Sequence, residues 1–270
     1  MVELEVARAA GRHAAADAAL LAAAVPGHPV RLQYTREQEH TWEPYGSAMV
    51  IQTKAGVNAN GNVLDWDLQI WSTPHGTRPG GEPGNLLSAR YLEKPFVQPV
   101  PTNGGPPNYA ADRNGIALYD FAGHQVLTHF ITDMPVRVSS TRGLGAYANV
   151  FAIESFMDEL ALAANIDPLT YRLRFLKDER ARDVLQRAAD KFGWNSWKKS
   201  PNRGKGIGFA RYKNIAGYCA VAVAVEVAES IRVKQVWCTV DAGRVVHRDG
   251  LLNQIEGGVM QAISISHDVP

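Results

Sequence analysis

Between residues 147 and 193 the chain holds three successive stretches whose apolar side chains can share one face only if each is a helix, and strand-like alternation flanks them on both sides. In the first, 147–164, Tyr147, Val150, Phe151, Met157, Leu160 and Ala161 recur at three and four, with Glu154 and Asp158 one turn apart. Asp167 followed by Pro168 then opens a second helix carrying Leu169, Leu173 and Leu176. The carboxylate there can accept from a first-turn amide, and proline lacks an N–H where none is needed. The third stretch, 180–192, stops at Gly193, a residue suited to the left-handed turn that ends helices.

The flanks read differently. An alanine-rich helix over 14–24 is stopped by Pro26-Gly27, and alternation at 30–34 predicts a strand. Residues 49–54 and 63–71 alternate again around Asn58, Asn60 and Gly61, which predicts a hairpin. Residues 72–114 are crowded with Pro, Gly and Asn, including Arg78-Pro79-Gly80-Gly81 and Asn103-Gly104-Gly105-Pro106-Pro107, and read as an elaborated loop. Residues 194–205 read as an exposed basic connection, 218–228 and 231–240 as Val-rich strands, and 250–263 as a helix beginning near Leu252. Strands, then helices, then strands indicate an α+β architecture.

Composition narrows the partners. Lys and Arg number 28 against 27 for Asp and Glu, so no net field draws the chain to nucleic acid or anionic lipid, and small molecules and other proteins are the expected partners. The apolar stretch at 18–25 is too short to span a bilayer, and the first residues show no basic or twin-arginine export signal, so the chain is expected to be cytoplasmic. Cys219 and Cys238 are too few for a disulfide framework or a four-thiolate site and read as inert core thiols. His124 and His129 stand five residues apart and share neither a helix face nor a strand side, so with His13, His28 or His40 they make a poor metal set. No metal-binding residue is assigned. Nucleophile-elbow, P-loop and dinucleotide fingerprints are absent.

The segment best placed to meet a ligand is Ser139-Ser140-Thr141-Arg142-Gly143-Leu144-Gly145, directly before the long helix. Two glycines allow backbone amides to approach an anion, a helix start adds partial positive charge, and Arg142 offers a forked donor.

This block, with Phe151-Ala152-Ile153-Glu154-Ser155-Phe156-Met157-Asp158-Glu159-Leu160-Ala161, Asp167-Pro168, Gly206-Ile207-Gly208-Phe209-Ala210 and Asn253-Gln254-Ile255-Glu256-Gly257-Gly258, resembles the large subunits of the xanthine dehydrogenase and aldehyde oxidase superfamily, above all the isoquinoline 1-oxidoreductase beta-subunit type. The likeness covers most of the chain and is strongest over 138–262. It implies mixed strands and helices of a molybdopterin-binding domain, incomplete relative to the family. Residues 1–200 would form the first part of that region, and 201–270 the start of a second subdomain.

The resemblance also implies roles. Arg142 and the amides of Gly143 to Gly145 would lie against the cofactor, molybdopterin cytosine dinucleotide with molybdenum. Gln254 would hydrogen-bond the pterin, with Gly257 allowing close packing, and Leu144 would line the substrate pocket where purine and aldehyde enzymes carry a phenylalanine. Read without the family, Gln254 and Glu256 merely begin an exposed helix. The glycine-rich loop ahead of the family's first helix is reduced here mainly to Gly11 and Asp17, and the family's catalytic glutamate has no counterpart in these residues, so no catalytic residue is assigned and the chain is expected to be inactive alone. The parent would hydroxylate N-heteroaromatics or aldehydes with water as oxygen source and pass electrons to a separate iron–sulfur subunit. Whether the parent is periplasmic stays open. Two other readings are kept: a cofactor-free chain that self-associates as a homo-oligomer, and an ester or lactone hydrolase.

Overall fold

The computed structural model describes residues 3–78, 82–105 and 110–266, with side chains from His13 onward. The parts of the long loop at 79–81 and 106–109, and the end at 267–270, lie outside the described residues. The elements run α1 (Glu3–Ala24), α2 (Arg36–Trp42), β1 (Met49–Val57), β2 (Val63–Ser72), β3 (Gln125–Phe130), α3 (Ala146–Ala163), α4 (Pro168–Phe175), α5 (Glu179–Phe192), β4 (Arg203–Arg211), β5 (Tyr218–Val227), β6 (Ile231–Asp241) and α6 (Arg248–Ser266). The α+β class follows, with two three-stranded sheets ordered β1-β2-β3 and β4-β5-β6. The residues gather into two compact units, each discontinuous in sequence: 1–51, 69–113 and 127–148 in the first, and 52–68, 114–126 and 149–270 in the second.

In the second unit, α5 buries Ala181, Val184, Leu185, Ala188, Ala189 and Phe192, and it lies against β5 and β6. Asp178 accepts from the amides of Arg180 and Ala181 at its start, and Gly193 closes its end at φ 78°. Asp167 caps α4 through the Thr170 amide at 3.0 Å, as the Asp-Pro pair predicts. The strands β4, β5 and β6 pair antiparallel, and β5 alternates buried and half-buried residues along nearly its whole length.

The unit's core is aromatic. Trp66 stacks on Phe121 at 4.9 Å and meets Phe156 at 5.3 Å, while Phe175 meets Phe121 and Tyr171 edge-on. The Tyr171 hydroxyl donates to the Gly61 carbonyl at 2.9 Å. Gly61 has φ +74°, and a Cβ there would come within 2.6 Å of the Ala164 side chain, so only glycine serves this turn.

A buried ion cluster joins these pieces. Arg172, fully buried, donates from Nε to Glu154 Oε2 at 2.8 Å, from Nη1 to Asp158 Oδ1 at 2.6 Å, and from Nη2 to the Glu154 carbonyl at 2.8 Å. Glu154 also accepts from the Tyr119 hydroxyl at 2.8 Å and from the Phe209 amide at 3.0 Å. One carboxylate thereby ties α3, α4, β4 and the 119 segment. Burial is the largest influence and pulls the Arg172 pKa down, but the charges of Glu154, Tyr119 and Asp158 with the Glu154 hydrogen bond together outweigh it, and the guanidinium is held above its ordinary range.

The structure revises several sequence readings. Residues 30–34 form no strand, and the chain passes directly into α2, which opens on a capping box between Thr35 and Gln38. Strand β3 was not predicted. The buried side of α3 carries Ile153, Met157, Leu160 and Ala161, whereas Phe151 is 67% exposed and Tyr147 42% exposed, so the predicted stripe is rotated. Trp194 is no surface residue: it is buried, its indole donates to Asp167 at 2.9 Å, and Lys205 sits 3.7 Å over its ring. Arg172→Met should destabilise the protein by about 3–5 kcal/mol in denaturant titrations, because it strands the Glu154 charge in the interior. Adding Glu154→Gln should recover part of that loss.

Candidate cofactor-binding turn and helix

The 139–145 turn lies in the first unit and is fastened from several directions. The Ser139 amide donates to the Tyr45 carbonyl at 2.9 Å, and Ser140 Oγ donates to the His75 carbonyl while accepting from Arg78 Nε at 2.8 Å. Thr77 Oγ1 donates to the Val138 carbonyl. Gly143 and Leu144 both take positive φ, 88° and 55°. The Leu144 amide donates to Thr141 O at 3.1 Å, Gly145 to Ala110 O at 3.0 Å, and Ala146 to Gly143 O at 3.2 Å.

These bonds change what the turn can offer. The resemblance put the amides of Gly143 to Gly145 against the cofactor, but those of Leu144 and Gly145 are committed to the protein's own carbonyls. A Cβ on Gly145 would lie 2.0 Å from the Ala111 carbonyl oxygen, so this glycine is required by the 110–111 backbone. Leu144 is buried, at 7% exposure. Arg142 is half-exposed.

Ser139 Oγ, in the turn itself, and Nδ1 of His75, whose carbonyl Ser140 bonds, are buried and have no hydrogen-bond partner among the described residues. Buried polar atoms left this way are uncommon and are characteristic of places where a ligand or water completes the bonding. Burial, with the charge of Arg113, lowers the His75 pKa from 6.5 to about 4, so its ring is neutral near pH 7. Its Nε2 lies 3.0 Å from Ser72 Oγ. Ser72 has no exposed surface, so this Ser–His pair cannot meet a substrate and gives the hydrolase reading no support.

The other predicted contacts, Gln254 and Gly257, are in the second unit on α6. No residue of α6 is buried, and Gln254, Gly257 and Gly258 are half-exposed. His247 Nδ1 accepts the Gly250 amide at 2.8 Å and Asp249 lies in the first turn, which settles the helix start.

The first unit also holds a cavity of about 420 Å³ lined by His13, Asp17, Tyr34, Trp42, Glu43 and Arg137 among others. Tyr34 donates to Asp17, and burial with this bond pushes its pKa up to about 12. Burial first, then Arg137, brings His13 down to about 4. Sequence reasoning noted only Asp17 and His13 from this cavity, since Tyr34 and Arg137 stand far apart in the chain. Among the described residues no group of three or more His, Cys, Asp or Glu could hold a metal ion, and no helix is long and apolar enough to cross a membrane.

The arginine-bearing glycine turn belongs to the first unit and the exposed helix with Gln254 to the second, and comparison with known proteins bears on what each is for. A family model of the molybdopterin cofactor-binding domain matches residues 150–266. A nicotinate dehydrogenase subunit from Pseudomonas putida is 37% identical over 98% of this chain and 23% of its own length. The beta subunit of isoquinoline 1-oxidoreductase from Brevundimonas diminuta is 27% identical over 93% of this chain and 30% of its own length. Among solved structures, the aldehyde oxidoreductase of Desulfovibrio desulfuricans aligns with a TM-score of 0.48 at 19% identity, covering 80% of this chain and 24% of that one. The chain belongs to the molybdenum hydroxylase family, within its molybdopterin-binding large subunit, and spans less than a third of the length of these relatives.

His75 and the pH dependence of folding give a direct check on the turn's foundation. Its folded pKa lies below its ordinary value, so the stability it contributes is complete above pH 6.5 and is lost as pH falls through about 4. Unfolding titrations across that window should show a profile flatter by about one proton for His75→Gln than for the parent.

Proposed function

We propose that this chain supplies molybdopterin contacts to an oxidoreductase that hydroxylates N-heteroaromatic compounds or aldehydes with water as the oxygen source. The observation that carries the reading is the match over 150–266, which ends on the exposed helix bearing Gln254 and Gly257. Similarity to a nicotinate dehydrogenase and an isoquinoline oxidoreductase favours a nitrogen heteroaromatic over a purine. The aliphatic Leu144 agrees with that choice, because it offers no ring for a purine to stack on.

In this reading Arg142 holds an anionic or carbonyl oxygen of the cofactor through its forked N–H groups, and Gly143 gives the turn the positive φ that presents that arginine. Gly145 holds the turn in place through close packing, and Gln254 hydrogen-bonds the pterin where Gly257 keeps α6 slim. The orphaned Ser139 Oγ and His75 Nδ1 are two further polar groups able to orient the turn or a bound water. The cofactor, in its cytosine dinucleotide form, supplies the oxygen transfer and redox chemistry when bound. Electrons leave through an iron–sulfur partner subunit, in keeping with relatives that are themselves named as subunits.

A second reading, a cofactor-free chain that pairs with itself, draws on the apolar side chains that remain exposed around α6, with Val246 at 91%, Met260 at 66% and Ile265 at 64%. Protein purified from a host that makes the cofactor distinguishes the two. Molybdenum and pterin bound in near-equal amount to the chain support the first reading, and Arg142→Ala or Gln254→Ala should then cut both several-fold. A metal-free oligomer supports the second, and metal content indifferent to both substitutions would remove Arg142 and Gln254 from the cofactor contacts.

A further inference from the structure

Cys219 and Cys238 lie on neighbouring antiparallel strands, with Cys219 opposite Val240 and Cys238 opposite Val221. Opposed residues of an antiparallel pair point to the same side, so the two thiols share a face as diagonal neighbours. It is the face of β5 that carries half-buried Cys219, Val221 and Val223, whereas Tyr218, Ala220 and Ala222 are buried on the other. Both cysteines are free, and their sulfurs are 3.5 Å apart.

That distance makes them chemically one unit. They share an S–H···S hydrogen bond, which holds the Cys238 thiol below its ordinary range and the Cys219 thiol well above it, with burial adding to the rise at Cys219. Two thiols at this separation can exchange as a pair once either one is deprotonated. Neither sulfur belongs to a larger metal-binding group among the described residues.

We propose that Cys219 and Cys238 form a redox pair that closes into a reversible disulfide joining β5 to β6. With a low-molecular-weight disulfide as oxidant, the Cys238 thiolate attacks one of its sulfurs and releases one thiolate. Cys219, giving up its proton, then attacks the mixed disulfide at the Cys238 sulfur and releases the second. Two protein thiols are oxidised, the small disulfide is reduced to two thiols, and the protons pass to the leaving groups. The bridge would pin the end of β6 that leads into α6, and the proposal stands whether or not a cofactor binds.

The test is to expose the reduced, folded protein to oxidised glutathione, then alkylate and measure intact mass. Closure lowers the mass by two hydrogens and leaves neither thiol open to alkylation. Tryptic cleavage at Arg232 and Lys234 parts the two cysteines, so the bridge reads as a joined peptide pair that dithiothreitol separates. Cys219→Ser should instead keep one glutathione on Cys238. Two thiols still alkylated after oxidation, glutathione retained on the unaltered protein without a joined pair, or a bridge between two chains would each overturn the proposal.

Discussion

A guanidinium with no exposed surface is tolerable only if every direction in which it donates is met, and Arg172 organises the second unit by this demand. Its partners come from α3 and α4, and Glu154, its main counter-charge, reaches onward to Tyr119 and to the amide of Phe209 on β4. The cluster sets the rotation of α3: Glu154 must face Arg172, which turns Ile153, Met157 and Ala161 inward and leaves Phe151 outside. Such a network adds little stability over an apolar replacement, but it tolerates few alternative packings, because any of them strands a charge.

The turn before α3 obeys a different constraint. Its glycines suggest a surface opened to a ligand, yet Gly145 lies against the 110–111 carbonyls and its amide is spent there. The Arg142 side chain stands half-exposed on a turn whose shape the positive φ values at Gly143 and Leu144 impose. Ser139 Oγ, in the turn itself, and His75 Nδ1 are buried without a hydrogen-bond partner among the described residues.

Much of this was legible in local patterns. The Asp167-Pro168 and Gly193 signals placed α4 and the end of α5, and the Val-rich runs placed β5 and β6, because caps and strand composition depend on near neighbours. Residues 30–34 show the limit: alternation without a partner strand leaves backbone donors unpaired by any sheet, and the segment serves as a lead into α2. The cavity around Tyr34 and Arg137 could not be assembled from the sequence, since its walls come from segments as far apart as His13 and Arg137. Cys219 and Cys238 each read as a core thiol, and only the strand register brings one against the other.

The order of residues by itself determined the class, the limits of α4 and α5 and the family, because periodicity, capping and motif are properties of contiguous stretches. Which side of α3 is buried, which glycine amides stay available and which cysteines meet were decided by tertiary structure. Those outcomes depend on where distant charges and carbonyls must find partners once water is excluded, and no local spacing encodes that.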